Sequence, residues 1–112
     1  MRFPFARPSV PEMSVDDLAA ALDGRRVHII DVRERSEFAS GRVPGAVHVP
    51  LSELSRRVTE VPTGRPIAVI CASGSRSRSA TRFLIDQGIV DAASVKGGTG
   101  AWARSGRKLV RN

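Results

Sequence analysis

The chain has 112 residues, 41% of them hydrophobic and few aromatic, and a net charge of +7 carried almost wholly by arginine. That length holds one domain with a single modest core, and that composition excludes a disordered chain. One cysteine excludes an internal disulfide, a multi-cysteine metal site and a resolving thiol within the chain, and no apolar run approaches transmembrane length.

Residues 1–9, with Pro4 and Pro8, are expected as a loose arm, on which Phe3 and Phe5 could fold back, ahead of a single domain at 10–112. Residues 1–8 hold no apolar segment of a secretory signal, so a reducing, cytoplasmic location is expected. Ser14 then caps a helix whose first turn carries Asp16 and Asp17. Val15, Leu18, Ala19 and Leu22 share its buried face, and Gly24 ends it. Val27 to Val32 is an apolar strand that contains His28, read as structural. Asp31 closes it, as support for the neighbouring loop or as a partner for Arg33 or another arginine, rather than in direct chemistry. Glu34 to Ser40 is a short helix stopped by Gly41, Val43-Pro44-Gly45 a turn, and Ala46 to Val49 a short strand. After Pro50 a helix is expected from about Leu51 to Thr59, burying Leu51, Leu54 and Val58. Pro62-Thr63-Gly64 is a surface turn.

Ile67 to Ile70 is an unbroken apolar run, as in a central strand covered on both faces. Cys71 sits where it ends. Ala72, Ser73, Gly74 and Ser75 make a tight loop, and a helix runs from Arg76 to Gln87, with Ala80, Phe83 and Leu84 on one face and Gly88 as its stop. A thiol at the carboxyl end of a strand and the amino end of a helix meets free N–H groups, which lower its pKa from the ordinary value of about 8.5. An ionised, partly exposed, nucleophilic Cys71 is therefore expected, with the charge of Arg76 beside it. Ala93 to Val95 is the last short strand. Gly97 and Gly98 allow close backbone approach and form one wall of the crevice. Trp102 packs beneath them in the core in preference to lining the mouth, and Arg104 to Asn112 is a basic surface tail. Strands alternating with helices predict an α/β fold: a small, mainly parallel sheet of about five strands with helices on both faces.

Three stretches carry a resemblance. Asp31-Val32-Arg33-Glu34 with Ser36-Glu37-Phe38 and residues 41–46, then Cys71 to Ser77, then Gly97-Gly98-Thr99-Gly100-Ala101-Trp102 resemble, in order, the signatures of single-domain rhodanese-like sulfurtransferases. The similarity spans about Pro11 to Val110. Arg42 stands where a histidine that is not catalytic is common in that family.

The resemblance implies sulfur transfer through a persulfide on Cys71, with the loop from Ala72 to Ser77 as the binding cradle, Arg76 and Ser77 setting its geometry and binding the anion, and Asp31, Arg33, Gly97 and Gly98 in support. Arg78 is expected to face solvent. It implies no cofactor and no metal. The donor would be a small sulfur-containing anion such as thiosulfate, or a persulfide on a protein or a small molecule; the acceptor would be a thiol or cyanide. Basic residues spread along the chain without aromatic interleaving speak against nucleic acid, and no membrane partner is expected. The loop lacks a cationic side chain at positions 72–75, and arginines elsewhere, such as Arg33, Arg35 or Arg42, could recruit the donor. The alternatives are a non-catalytic binding or regulatory module with this fold, or a cysteine-based phosphatase or arsenate reductase. Those enzymes use Cys-x5-Arg where this chain has Cys-x4-Arg, a tighter loop for a phosphate ester.

Overall fold

The structure, a computed structural model, describes residues 9–111, so the expected arm and its phenylalanines lie outside the described residues except for Ser9. The first helix, α1 (Val15–Asp23), starts as its sequence dictates: the Asp17 N–H donates to Ser14 Oγ at 3.0 Å, and Leu18 is fully buried. Gly24 closes it with an ordinary φ of −88°, and the left-handed residue is the next one, Arg25, at 51°. Helix α2 (Arg35–Ser40) opens on a reciprocal capping box between Glu34 and Glu37.

Before α1 lies β1 (Glu12–Met13); β2 (His28–Asp31), β3 (Val47–His48), β4 (Ile67–Ile70) and β5 (Ala92–Val95) complete the sheet. All pairings are parallel, in the order β1-β5-β4-β2-β3. The all-apolar β4 is the middle strand, every residue buried, as a strand covered on both faces must be. Helix α3 (Ser75–Asp86) covers one face, where Ile30, Val69, Ala80 and Leu84 pack. Helices α1 and α4 (Gly98–Arg104) cover the other, where Leu18, Ile29, Ile70 and Trp102 pack. The carboxyl ends of β2, β4 and β5 therefore share one edge of the sheet.

Four local expectations are corrected. The helix expected from Leu51 to Thr59 is two 3-10 turns, Leu51–Glu53 and Val58–Glu60. The apolar residues come in pairs three apart, Leu51 with Leu54 and Val58 with Val61, the repeat of a 3-10 helix. Arg57, between the turns, ties them by donating to Glu53, Glu60 and the His48 carbonyl. Strand β1 was not expected. Its two residues have no periodicity, and they are extended because β5 offers an open edge, with Ser94 N–H donating to Pro11 O at 2.8 Å and Lys96 N–H to Met13 O at 2.9 Å. Helix α4 replaces a glycine loop; Gly-Gly-Thr-Gly is a poor helix former, and the helix is held by tertiary contacts. The tail is not merely superficial. Val110 pairs with Arg42 through two backbone bonds of 2.8 Å, and Leu109 packs against the core. Trp102 is buried, donating its indole N–H to Lys108 O at 3.0 Å, so it belongs to the core and not to a substrate mouth. Among the described residues no helix is long and apolar enough to cross a membrane.

Candidate active site

Cys71 follows the last residue of β4, and the chain turns through Ala72, Ser73 and Gly74 into α3. The turn needs Gly74 in the left-handed region, φ 106°, where it precedes α3 and donates its N–H to Cys71 Sγ at 3.0 Å. One turn into α3, the hydroxyl of Ser77 lies 3.4 Å from the sulfur. The same oxygen is 3.1 Å from Gly74 O, to which it donates, and 2.8 Å from Ser94 Oγ on β5.

The loop is held from its other side by α4. Thr99 N–H donates to Cys71 O at 2.8 Å and Gly100 N–H to Ala72 O at 3.0 Å. A trans peptide sets its N–H opposite its C=O. Drawing these two carbonyls toward α4 thus turns the N–H groups of Ala72 and Ser73 away from α4, and that of Ser73 acts on the sulfur. Gly98, φ 60°, makes the approach possible: a Cβ there would overlap the Cys71 carbonyl oxygen and stand 2.6 Å from Ala72 C. Gly97 sits against Gly74 in the same seam, its nitrogen 3.3 Å from where a Gly74 Cβ would lie.

Cys71 was expected partly exposed, and the structure corrects this: the residue is 1% exposed. Its small neighbours close over it, because a loop short enough to wrap its amides round the sulfur also covers the sulfur. Burial pushes the thiol pKa up and is the largest single influence. The Ser77 hydroxyl and the N–H groups of Ser77, Gly74 and Ser73 together outweigh it, so the pKa lies below the ordinary thiol value.

Arg76 lies beside the loop, but both its outer nitrogens are spent on Glu37 of α2, at 2.7 and 2.9 Å. It clamps α3 to α2 and lends its charge to Cys71 through space. The guanidinium holds the Glu37 carboxyl at a pKa of about 2. Asp31 and Arg33 form a buried bidentate pair, with Arg33 Nε at 3.0 and 3.1 Å and its terminal nitrogen at 2.9 Å. That terminal nitrogen also donates to Gly41 O at 2.6 Å. Among the arginines considered for recruiting a donor, Arg33 is thus committed, Arg35 pairs with Glu53, and Arg42 lies over the Phe38 ring. Ser73, Ser75 and Arg78 are exposed.

The structure therefore gathers Cys71, Gly74, Ser77 and Gly98 into one seam, sets Arg76 at its side and Gly97 behind it, and places Asp31 and Arg33 as a brace beneath the adjoining loop. Sequence reading gives no role to Ser94, and it meets Glu37, Thr99 and Gly100 only inside the stretches that carry the resemblance. Ser94 had left a signal, a hydroxyl in an otherwise apolar strand, whereas the others act through contacts across the fold.

A family model described as Rhodanese-like domain matches residues 14–105. The chain is 34% identical to a sulfurtransferase of Allochromatium vinosum over 102 residues, 90% of this chain and 95% of that one. It is 31% identical to the thiosulfate sulfurtransferase GlpE of Shewanella oneidensis, over 84% of this chain and 93% of that one. The crystal structure of a rhodanese-related protein from Thermoplasma volcanium superposes with a TM-score of 0.84 at 29% identity, covering 91% of this chain and 99% of that one. The chain belongs to the rhodanese-like family.

Proposed function

We propose that this rhodanese-like domain is a sulfurtransferase that carries a sulfane sulfur as a persulfide on Cys71. The thiolate attacks the outer sulfur of thiosulfate or a similar donor. A new S–S bond forms at Sγ, the donor's S–S bond breaks, and its electron pair leaves with sulfite. The terminal sulfur, now anionic, takes over the hydrogen bonds that the loop offered the thiolate. A thiolate or cyanide then attacks that sulfur, and Cys71 leaves as the thiolate, in two half-reactions. Sulfite is stable as an anion, so the step asks for no general acid. With Cys71 1% exposed, this reading requires Ala72 and Ser73 to move aside for the donor.

The single observation that carries the reading is a buried sulfur facing convergent donors, with a lowered pKa despite its burial. The phosphatase alternative is weakened because Arg76, which would have to grip the phosphate, is spent on Glu37. Mass spectrometry after thiosulfate treatment tests the proposal. Wild type should gain one sulfur atom and release it to cyanide as thiocyanate, and Cys71→Ala should do neither. Release of phosphate from an aryl phosphate without thiocyanate formation would favour the alternative, and neither product would favour a binding module.

A further inference from the structure

Ser94 is the feature of the core that burial alone does not explain. It stands in the row Ile30, Val69, Ser94 across β2, β4 and β5, on the face that α3 covers. It is 0% exposed, as is Ser77, to which its hydroxyl is bonded at 2.8 Å. A hydroxyl in an apolar row costs free energy unless it has a partner, and a buried hydroxyl must donate its proton somewhere. Because the Ser77 hydroxyl already donates to Gly74 O, its oxygen, 2.8 Å away, is the acceptor that Ser94 requires.

Once Ser94 donates into Ser77 Oγ, the single proton of Ser77 points elsewhere. Two acceptors lie within reach, Gly74 O at 3.1 Å and Cys71 Sγ at 3.4 Å. While the cysteine is a thiol, its S–H donates to Ser77 and Ser77 donates to Gly74 O. When the cysteine is ionised, Ser77 swings its proton to the sulfur. The chain Ser94 O–H to Ser77 O–H to Sγ then runs in one direction, each bond polarising the next.

We propose that Ser94 is a positioning residue: by holding the acceptor side of Ser77 it commits the Ser77 proton to the thiolate and to the persulfide that replaces it. This rests on the reading of Cys71 as the sulfur carrier. The charged groups around the sulfur leave the role open to the hydroxyls. Arg76 is paired with Glu37 of α2, Asp31 of β2 with Arg33, and Glu53 of the first 3-10 turn with Arg35 and Arg57. Arg78 on α3, Lys96 after β5, Glu34 before α2 and Glu12, the β1 partner of Ser94, are exposed, and α4 presents backbone N–H groups to the loop.

The test is the pH profile of Cys71 alkylation by iodoacetamide on the full chain, for wild type, Ser94→Ala, Ser77→Ala and the double variant. Losing one link of the chain should raise the apparent thiol pKa in Ser94→Ala by about 0.5 to 1 unit, a roughly three- to tenfold slower alkylation below the pKa. The limiting rate at high pH should stay unchanged. In the Ser77→Ala background the Ser94 substitution should add nothing, because its effect passes through Ser77. Ser94→Thr, which keeps the hydroxyl, should return the profile toward wild type, and it serves as the folded comparison if the alanine variant proves unstable. An unchanged pKa in Ser94→Ala, an equal effect in both backgrounds, or a fall in the high-pH limit without a pKa shift would each overturn the proposal. Alkylation needs no sulfur donor, so a failure of Ser94 here is separate from a failure of wild type to take sulfur from thiosulfate.

Discussion

Replacing Gly98 by alanine tests the seam between α4 and the loop most directly. The added Cβ would overlap Cys71 O and stand 2.6 and 2.7 Å from Ala72 C and O, all of them backbone atoms that cannot swing aside. The residue also holds φ at 60°, which costs an L side chain about 1 to 2 kcal/mol. Forcing an extra carbon into a packed contact adds roughly 1 to 3 kcal/mol. The sum, about 2 to 5 kcal/mol, is a large share of the roughly 5 to 15 kcal/mol that holds a domain of this size. The strain is relieved by opening the seam, which weakens the bonds from Thr99 N–H to Cys71 O and from Gly100 N–H to Ala72 O. The loop amides then lose their alignment and the Cys71 pKa rises. Gly106→Ala is the control, because its φ of 88° is equally left-handed but nothing lies within 4 Å of its Cβ. Thermal unfolding should show a drop for Gly98→Ala exceeding the control's by some 5 to 20 °C. The alkylation profile should shift toward an ordinary thiol in Gly98→Ala alone. If the two variants match in both measurements, the seam does not orient the loop.

Glu37, held at a pKa of about 2 against an ordinary 4.5, titrates below the unfolded chain, so its pairing with Arg76 stabilises the fold above pH 4.5 and is lost as the pH falls from there toward 2. Both side chains are one-third exposed, so solvent screening reduces the contribution to about 1 kcal/mol. Urea unfolding of wild type should lose that much between pH 5 and 2 relative to Glu37→Gln, and parallel pH dependences would refute it. Asp31→Asn leaves the Arg33 guanidinium buried without its counter-charge and should cost about 3 to 5 kcal/mol in chemical denaturation; a loss under 1 kcal/mol would mean that the pair is solvated. Ser77→Ala removes the side-chain hydroxyl 3.4 Å from the sulfur and should slow persulfide formation at neutral pH about tenfold, with most of the rate recovered at high pH. An equal loss at every pH would point to a collapsed loop instead.

Much of this was legible from local chemistry. The apolar run 67–70 suits a central strand, Ser14 with Asp16 and Asp17 marks a helix start, and a cysteine between that strand and a glycine-bearing turn marks the candidate nucleophile, a reading that leaned on the resemblance of the loop from Cys71 to Ser77. These signals depend on residues within one turn or one strand of each other. The Leu51 to Thr59 stretch misled because periods of 3 and 3.6 are hard to separate over so few residues. Glu37 and Arg76, 39 positions apart, give no sign of each other in the sequence.

The order of residues thus determined the elements of the core, the parallel α/β class and the place of Cys71 between the central strand and a helix start, because those follow from hydrophobic period, capping and the conformational freedom of glycine. The fold alone decided that Gly-Gly-Thr-Gly becomes a helix start, that β1 exists, that the sulfur is covered, and that Ser94 reaches Ser77. Each of these depends on groups distant in sequence supplying a hydrogen bond or excluding an atom, and such contacts exist only once the chain has closed on itself.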